Sequence, residues 1–205
     1  MTMTGKLVLA SLFFLFVSGC RHGSGDGDDR SAENMVLKAE ALESSLATDE
    51  RAFLDNLSSL CGKSFRGEET FMAPGRESWA EKKFMMHVTV CEDDRVHIPF
   101  HLDEDRSRTW MFLVEDEGLR FRHDHRHEDG TPEELTMYGG YADGKGNRYR
   151  QHFPADDYTI DLLDDDLDRE WRVILDEDLN SFTYQLLYGP DLIFEARFDL
   201  TSPVR

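Results

Sequence analysis

The sequence predicts a mainly β protein, an antiparallel barrel of about ten strands preceded by N-terminal helices. From residue 63 onward, apolar and polar residues alternate in short runs with the two-residue period of a strand. Acidic or glycine-containing turn signals such as EDEG, DGKGN and GPD separate these runs. Their spacing of about 8–12 residues is typical of antiparallel barrels and sandwiches. Residues 63–205 are therefore expected to form one β-barrel domain.

Length and charge limit the classes of partner. The chain has 205 residues, enough for one globular domain with a hydrophobic core. Asp and Glu number 42 against 23 Lys and Arg, which gives a formal net charge of -19. A surface this acidic repels nucleic acid and anionic lipid, so we expect neither as a partner.

The first 19 residues are a predicted export signal. Lys6 supplies a positive charge, and residues 7–17 (LVLASLFFLFV) form an apolar run shorter than the roughly 20 residues needed to span a bilayer. The run ends in Val17-Ser18-Gly19-Cys20, which resembles the lipobox of bacterial lipoproteins. The resemblance implies that Cys20 is acylated and becomes the mature N-terminus.

The same resemblance implies a location. Arg21 follows Cys20, where an Asp would be the usual signal for retention in the inner membrane. The expected location is therefore the periplasmic face of the outer membrane, with a lipid anchor in which each buried methylene contributes ~0.8 kcal/mol. Residues 20–31 are rich in Gly, Asp and Ser, so we expect a lipidated flexible tether.

Residues 32–62 are predicted to be helical. Apolar residues at helical spacing indicate a first helix over residues 32–46, with Ser31 as its N-cap. Thr48 or Asp49 is the predicted N-cap of a second helix, and Gly62 is its predicted stop. The apolar face of this second helix is expected to contain Phe53, Leu54, Leu57, Leu60 and Cys61.

The strands follow in one series, interrupted by a helix near residues 156–167. They are predicted near residues 63–72, 83–91, 95–102, 107–115, 119–127, 134–142, 147–153, 170–176, 181–188 and 192–200. A leading helix, a G-x-x-F-x-G opening at Gly62 and a final strand IFEARFDL resemble lipocalin-like barrels, including the fatty-acid-binding and nitrobindin-like forms. The segments IPFHLDEDRSRTW and HDHRHEDG are similar to uncharacterised exported bacterial proteins. These resemblances imply an architecture and no particular ligand.

The HDHRH sequence at residues 123–127 is a candidate metal site. Alternation places Leu119 and Phe121 on the same strand face as three histidines, and the two apolar residues mark that face as inward. The three are His123, His125 and His127. Two imidazoles at i and i+2 can reach one metal ion, for which zinc or copper is the best match. Alternatively, the histidines pair with carboxylates on neighbouring strands.

Four arginines near an apolar strand indicate a second kind of site. A barrel that holds an anionic amphiphile needs an apolar cavity and one or two guanidinium groups. The candidate ligand-binding residues are Arg108, Trp110, Arg120, Arg122 and Arg126. Alternatively, the arginines offset the acidic turns at residues 103–105 and 115–117.

The remaining cysteines and the missing enzyme motifs complete the prediction. Cys61 and Cys91 are expected to form a disulfide in an oxidising compartment. G-x-S-x-G, H-E-x-x-H and phosphate-binding glycine loops do not occur, so the prediction favours a protein without enzymatic activity. We expect a binding module for a small amphiphilic or anionic ligand. The alternatives are a metal-binding protein that uses the HDHRH strand and a structural envelope protein with a filled barrel.

Overall fold

The computed structural model describes residues 46–204, and the prediction of a mainly β fold is confirmed. The elements are α1 (Thr48–Ser58), β1 (Ser64–Met72), β2 (Phe84–His87), β3 (Val90–Glu92), β4 (Arg95–Leu102), β5 (Asp105–Glu115), β6 (Gly118–His125), β7 (Tyr138–Tyr141), β8 (Arg150–Pro154), α2 (Asp157–Leu163), β9 (Arg169–Leu175), β10 (Ser181–Tyr188) and β11 (Asp191–Asp199). The predicted signal peptide, Cys20, the tether and almost all of the first helix lie outside the described residues. Neither described helix is long and apolar enough to cross a membrane.

All the strands belong to one antiparallel sheet that curls into a nearly closed barrel of ten strands, as predicted. The sheet order is β7-β6-β5-β4-β2-β1-β11-β10-β9-β8, and β3 pairs with β4 off this path. The first and last strands of the path lie close to each other. Just after β7, Asp143 N donates to His152 O in β8 at 3.1 Å. A side chain at Gly140 of β7 would overlap the carbonyl oxygen of Pro154 in β8. Glycine therefore allows the two strands to come this close.

Helix α1 packs its predicted apolar face on the barrel. The ring of Phe53 meets that of Phe112 in β5 edge-on, with centroids 6.0 Å apart. The predicted side-chain N-cap is wrong, because Ala47 is the N-cap and both Thr48 and Asp49 lie in the first turn. The buried residues of the predicted face are Phe53, Leu54, Leu57 and Leu60, whereas Cys61 is exposed in the turn after α1.

The strand predicted over residues 83–91 is two strands, β2 and β3. Between them the backbone changes its pairing, because Val88 N donates to Lys63 O while Thr89 N donates to His97 O. The structure joins Cys61 and Cys91 in a disulfide with Cα atoms 6.1 Å apart. This bond links the turn after α1 to β3.

Helix α2 is shorter than predicted and lies against β7. The side chain of Asp156 caps it by accepting from Thr159 N at 3.0 Å, and Asp164 ends it in a left-handed conformation (φ 45°). The Thr159 hydroxyl donates to Gly139 O at 2.7 Å and ties the helix to β7. The acidic cap of α2 therefore lies beside β6 and β7, on the outside of the barrel.

Candidate functional site

The inside of the barrel contains a cavity of about 600 Å³. All three tryptophans of the chain, Trp79, Trp110 and Trp171, line this cavity. Trp110 and Trp171 are buried, whereas Leu135 on the same lining is 53% exposed. We call the region around Trp110 and Trp171 the deep end, and the region around Leu135 the mouth. A barrel with this space is not filled throughout by its own side chains.

Aromatic rings form the walls of the deep end. Trp110 stacks on Phe100 and on Tyr184, with ring centroids 4.7 and 4.6 Å apart. Tyr138 stacks on Trp171 at 5.7 Å. Packing fixes the orientation of these rings, so the edges that line the cavity are rigid apolar surfaces that lose little side-chain freedom on binding. These walls suit a planar or apolar ligand.

His123 is the polar residue of the deep end. It lies on the inner face of β6, is only 6% exposed and lines the cavity. Neither of its ring nitrogens has a hydrogen-bond partner among the described residues. Burial, together with nearby His125 and Arg108, lowers the pKa of His123 well below the ordinary value, so the ring is neutral at pH 7. Because buried polar groups are normally hydrogen-bonded, these nitrogens are suited to meet a ligand.

His125 also lines the cavity, but a carboxylate lies beside it, without the geometry of a hydrogen bond. Its Nδ1 lies 3.3 Å from Oε2 of Glu133, which lines the cavity too. Burial and the charge of Arg108 lower the pKa of His125, although Glu133 opposes this shift. The ring centroids of His123 and His125 are 5.0 Å apart.

His127, the third histidine of the predicted metal site, does not line the cavity. Regular strand pairing ends at His125, and His127 is exposed in a turn where its carbonyl accepts from Gly130 N. A two-residue period cannot extend beyond the end of the strand. The three histidines do not form a group with converging ligand atoms among residues 46–204.

The predicted ligand-binding residues divide between the two sides of the sheet. Arg108 and Trp110 line the cavity. The Arg108 guanidinium is bonded to Asp105 and lies over the Trp79 ring, 5.6 Å from its centroid. A carboxylate therefore already matches its charge. A guanidinium has five N–H donors, however, and can still donate to a further partner.

The other three predicted arginines do not line the cavity. Arg120 and Arg122 lie on the outer face of β6 and donate to Oδ2 of Asp156 at 2.8 and 2.6 Å. Arg126 donates to Asp124 at 2.7 Å. Strand alternation explains the positions of Arg120 and Arg122, because the even-numbered residues of β6 face away from the barrel interior, whereas Arg126 follows the end of β6.

Two further arginines, Arg76 and Arg169, line the cavity and were not predicted. Both guanidinium groups lie over the Tyr188 ring, 5.0 and 5.1 Å from its centroid. Arg169 is bonded to Asp165, whereas Arg76 makes no ion pair with any described residue. No local pattern marks either arginine, because the pairing of β1, β11, β10 and β9 brings them together.

A separate group of residues has metal-ligand chemistry. The ligand atoms of Asp143, His152 and Glu170 all lie within 4.8 Å of one another. Both carboxylates already have cationic partners, because Asp143 accepts from Lys145 Nζ at 2.8 Å and Glu170 is bonded to Arg172. The existing ion pairs give this group a structural explanation that needs no metal.

No protein family, curated protein or solved structure matches this chain significantly.

Proposed function

We propose that this chain is a lipid-anchored periplasmic protein whose barrel binds a small amphiphilic or anionic ligand. The observation that supports binding is the cavity of about 600 Å³, lined by aromatic rings and by arginines. Small-molecule sites are mostly apolar cavities of roughly this size, with a few polar groups that fix the orientation of the ligand. The walls supply the apolar surface, and Arg76 and Arg108 supply cations for an acidic group.

The chain carries its own probes for testing this proposal. Because all three tryptophans line the cavity, a ligand that enters it should quench or shift their fluorescence. We expect 8-anilinonaphthalene-1-sulfonate, an aromatic anion, to bind the folded protein with saturable energy transfer from tryptophan. Native mass spectrometry should show about one dye molecule per chain.

A matched pair of arginine variants tests where the dye binds. Arg76→Gln removes from the cavity lining a guanidinium that makes no ion pair with a described residue, and we expect roughly ten- to hundredfold weaker binding, since a hydrogen bond to a charged group contributes about 1.5–3 kcal/mol. Arg120→Gln removes one from the outer face of β6 and should leave the affinity unchanged. Equal weakening in both variants, or no saturable binding by the wild-type chain, would contradict the proposal.

The lipid anchor is proposed from the sequence Val17-Ser18-Gly19-Cys20. Cells that express the full chain and grow with a clickable fatty acid should label the protein, and Cys20→Ala should abolish the label. Ser18→Ala is a control that leaves the cysteine in place and should keep the label. Labelling of the Cys20→Ala protein at the wild-type level would contradict the anchor without affecting the binding proposal.

A further inference from the structure

Polarity changes with depth along the cavity. At the deep end, His123 is buried among aromatic rings and both of its nitrogens lack partners within residues 46–204. Toward the mouth, Arg76 is exposed and makes no ion pair with described residues. Arg108 and Arg169 also line the cavity, but Asp105 and Asp165 neutralise them. The cavity therefore offers an uncharged hydrogen-bonding group inside and, at its exposed end, a guanidinium that makes no ion pair with a described residue, although the Glu77 carboxylate lies on the same lining.

The chemistry of a neutral imidazole limits what can lie beside His123. Such a ring has one N–H donor and one acceptor nitrogen. A hydroxyl can donate to the acceptor nitrogen, whereas a carboxylate has no proton to donate. Placing an ionised carboxylate in a buried site beside an uncharged partner also carries a large desolvation cost. A hydroxyl therefore fits the deep end better than an acid group.

The walls between the two ends limit the middle of the ligand. Tyr138 and Trp171 form one stacked pair, and Trp110 and Tyr184 form another. His123 lies beside this wall, with its ring centroid 4.8 Å from that of Tyr138. Because the faces of these rings already pack on one another, an aromatic ring of the ligand meets their edges, in the edge-to-face geometry that aromatic pairs favour.

From these three observations we infer that the ligand is a hydroxylated aromatic acid, with its hydroxyl at His123 and its anionic group near Arg76. This inference rests on the proposed function and adds the chemical class and orientation of the ligand. The ring of the ligand lies against the aromatic walls of the deep end. An aliphatic acid of similar size satisfies Arg76 but leaves His123 without a partner.

Three matched probes test the inference on the wild-type protein. They are 3-(4-hydroxyphenyl)propionate, 3-phenylpropionate without the hydroxyl, and the methyl ester of the first compound without the charge. The corresponding hexanoates extend the reach of the carboxylate. In whichever series binds more tightly, the propionates or the hexanoates, we expect loss of the hydroxyl to weaken binding about three- to tenfold. Loss of the charge should weaken binding by at least as much. The affinity of each probe is measured by tryptophan fluorescence titration.

Two variants assign each preference to its residue. His123→Phe should abolish the preference for the hydroxyl and keep the preference for the carboxylate. Arg76→Gln should have the opposite effect, and His123→Leu, which also lacks hydrogen-bonding atoms, replaces His123→Phe if the latter does not fold. Wild-type protein that binds the dye but does not prefer the hydroxylated probe, or a preference that persists in the folded His123 variant, overturns this inference. The proposed function then still stands, whereas failure to bind both the dye and all the probes overturns the proposed function as well.

Discussion

Buried polar side chains on the two faces of β6 differ in whether they have hydrogen-bond partners. On the outer face, Arg122 is buried and donates to Asp156, which also caps α2 and accepts from Arg120. On the inner face, His123 is equally buried and has no hydrogen-bond partner among the described residues. The two environments belong to adjacent residues, because alternate side chains of a strand point to opposite sides.

This difference separates residues that maintain the fold from residues that are available to a ligand. Natural proteins satisfy nearly all buried polar groups, and Arg122 on the outer face follows that rule through Asp156, although Nε of Arg120 on the same face has no partner among the described residues. An exception has to be explained, and His123 lies where a cavity can supply a partner from outside the chain. Substitutions on the outer face should therefore affect stability, and those on the inner face should affect binding.

The largest effect is expected for Asp156→Ala. This change leaves Arg122 buried without its carboxylate and removes the side-chain cap of α2. Breaking a buried ion pair on one side typically costs about 3–5 kcal/mol, so we expect the free energy of unfolding to fall by about that amount. Urea denaturation followed by circular dichroism measures it.

The neighbouring residue provides the control for this prediction. Asp157 is exposed in the first turn of the same helix, so Asp157→Ala should cost only about 0.3–1 kcal/mol through the helix dipole. Dye affinity of the folded protein should stay unchanged in both variants. Similar losses of stability for Asp156→Ala and Asp157→Ala would show that the outer network does not hold the fold.

A smaller effect of opposite sign is expected for His123→Phe. The substitution removes two polar atoms that have no partner within the described chain and keeps a ring of similar size beside an open cavity. Since leaving a buried polar group unsatisfied costs about 1–3 kcal/mol, we expect the free energy of unfolding to rise by up to that amount. Phe121→His, two residues earlier on the same face, should lower it. A His123→Phe protein less stable than wild type would mean that His123 holds the fold.

The sequence predicted strands better than it predicted the site. The predicted strand over residues 95–102 coincides with β4, because its alternation is unbroken and acidic turns flank it. The same alternation assigned His123 and His125 to the interior of the barrel. It could not exclude His127, because nothing local marks where strand pairing ends.

Long-range pairing decides the rest of the site. Arg76 follows β1 and Arg169 begins β9, so they share the Tyr188 ring only after the strands between them have paired. Whether a barrel is filled or hollow depends on side-chain volumes contributed by many strands. A single sequence contains those volumes but not the positions at which they meet.

The smallest effect, and the sharpest test of the inner face, is the pH dependence of stability. The pKa of His123 is lowered in the folded protein, mainly by burial, so below pH ~6.5 the unfolded chain binds a proton that the folded chain does not. Stability should therefore fall as the pH drops from 6.5 to 5, and His123 contributes about 1.4 kcal/mol per pH unit at most. The lowered pKa values of His87, His97, His101 and His125 act in the same direction.

In His123→Phe, the difference in bound protons between the unfolded and folded chains should be smaller by up to one. The pH dependence of the free energy of unfolding should therefore become less steep without disappearing. Tyr138→Phe is the matched control, because Tyr138 is the cross-strand neighbour of His123 and its raised pKa keeps it protonated throughout this range. Urea denaturation at half-unit steps between pH 5 and pH 7 gives the slope for each protein. A ligand that bonds the neutral imidazole should steepen the slope in wild-type protein, because protonation then also breaks the complex. If His123→Phe and Tyr138→Phe have the same slope, His123 is protonated alike in the folded and unfolded chains, and burial on the inner face of β6 does not lower its pKa.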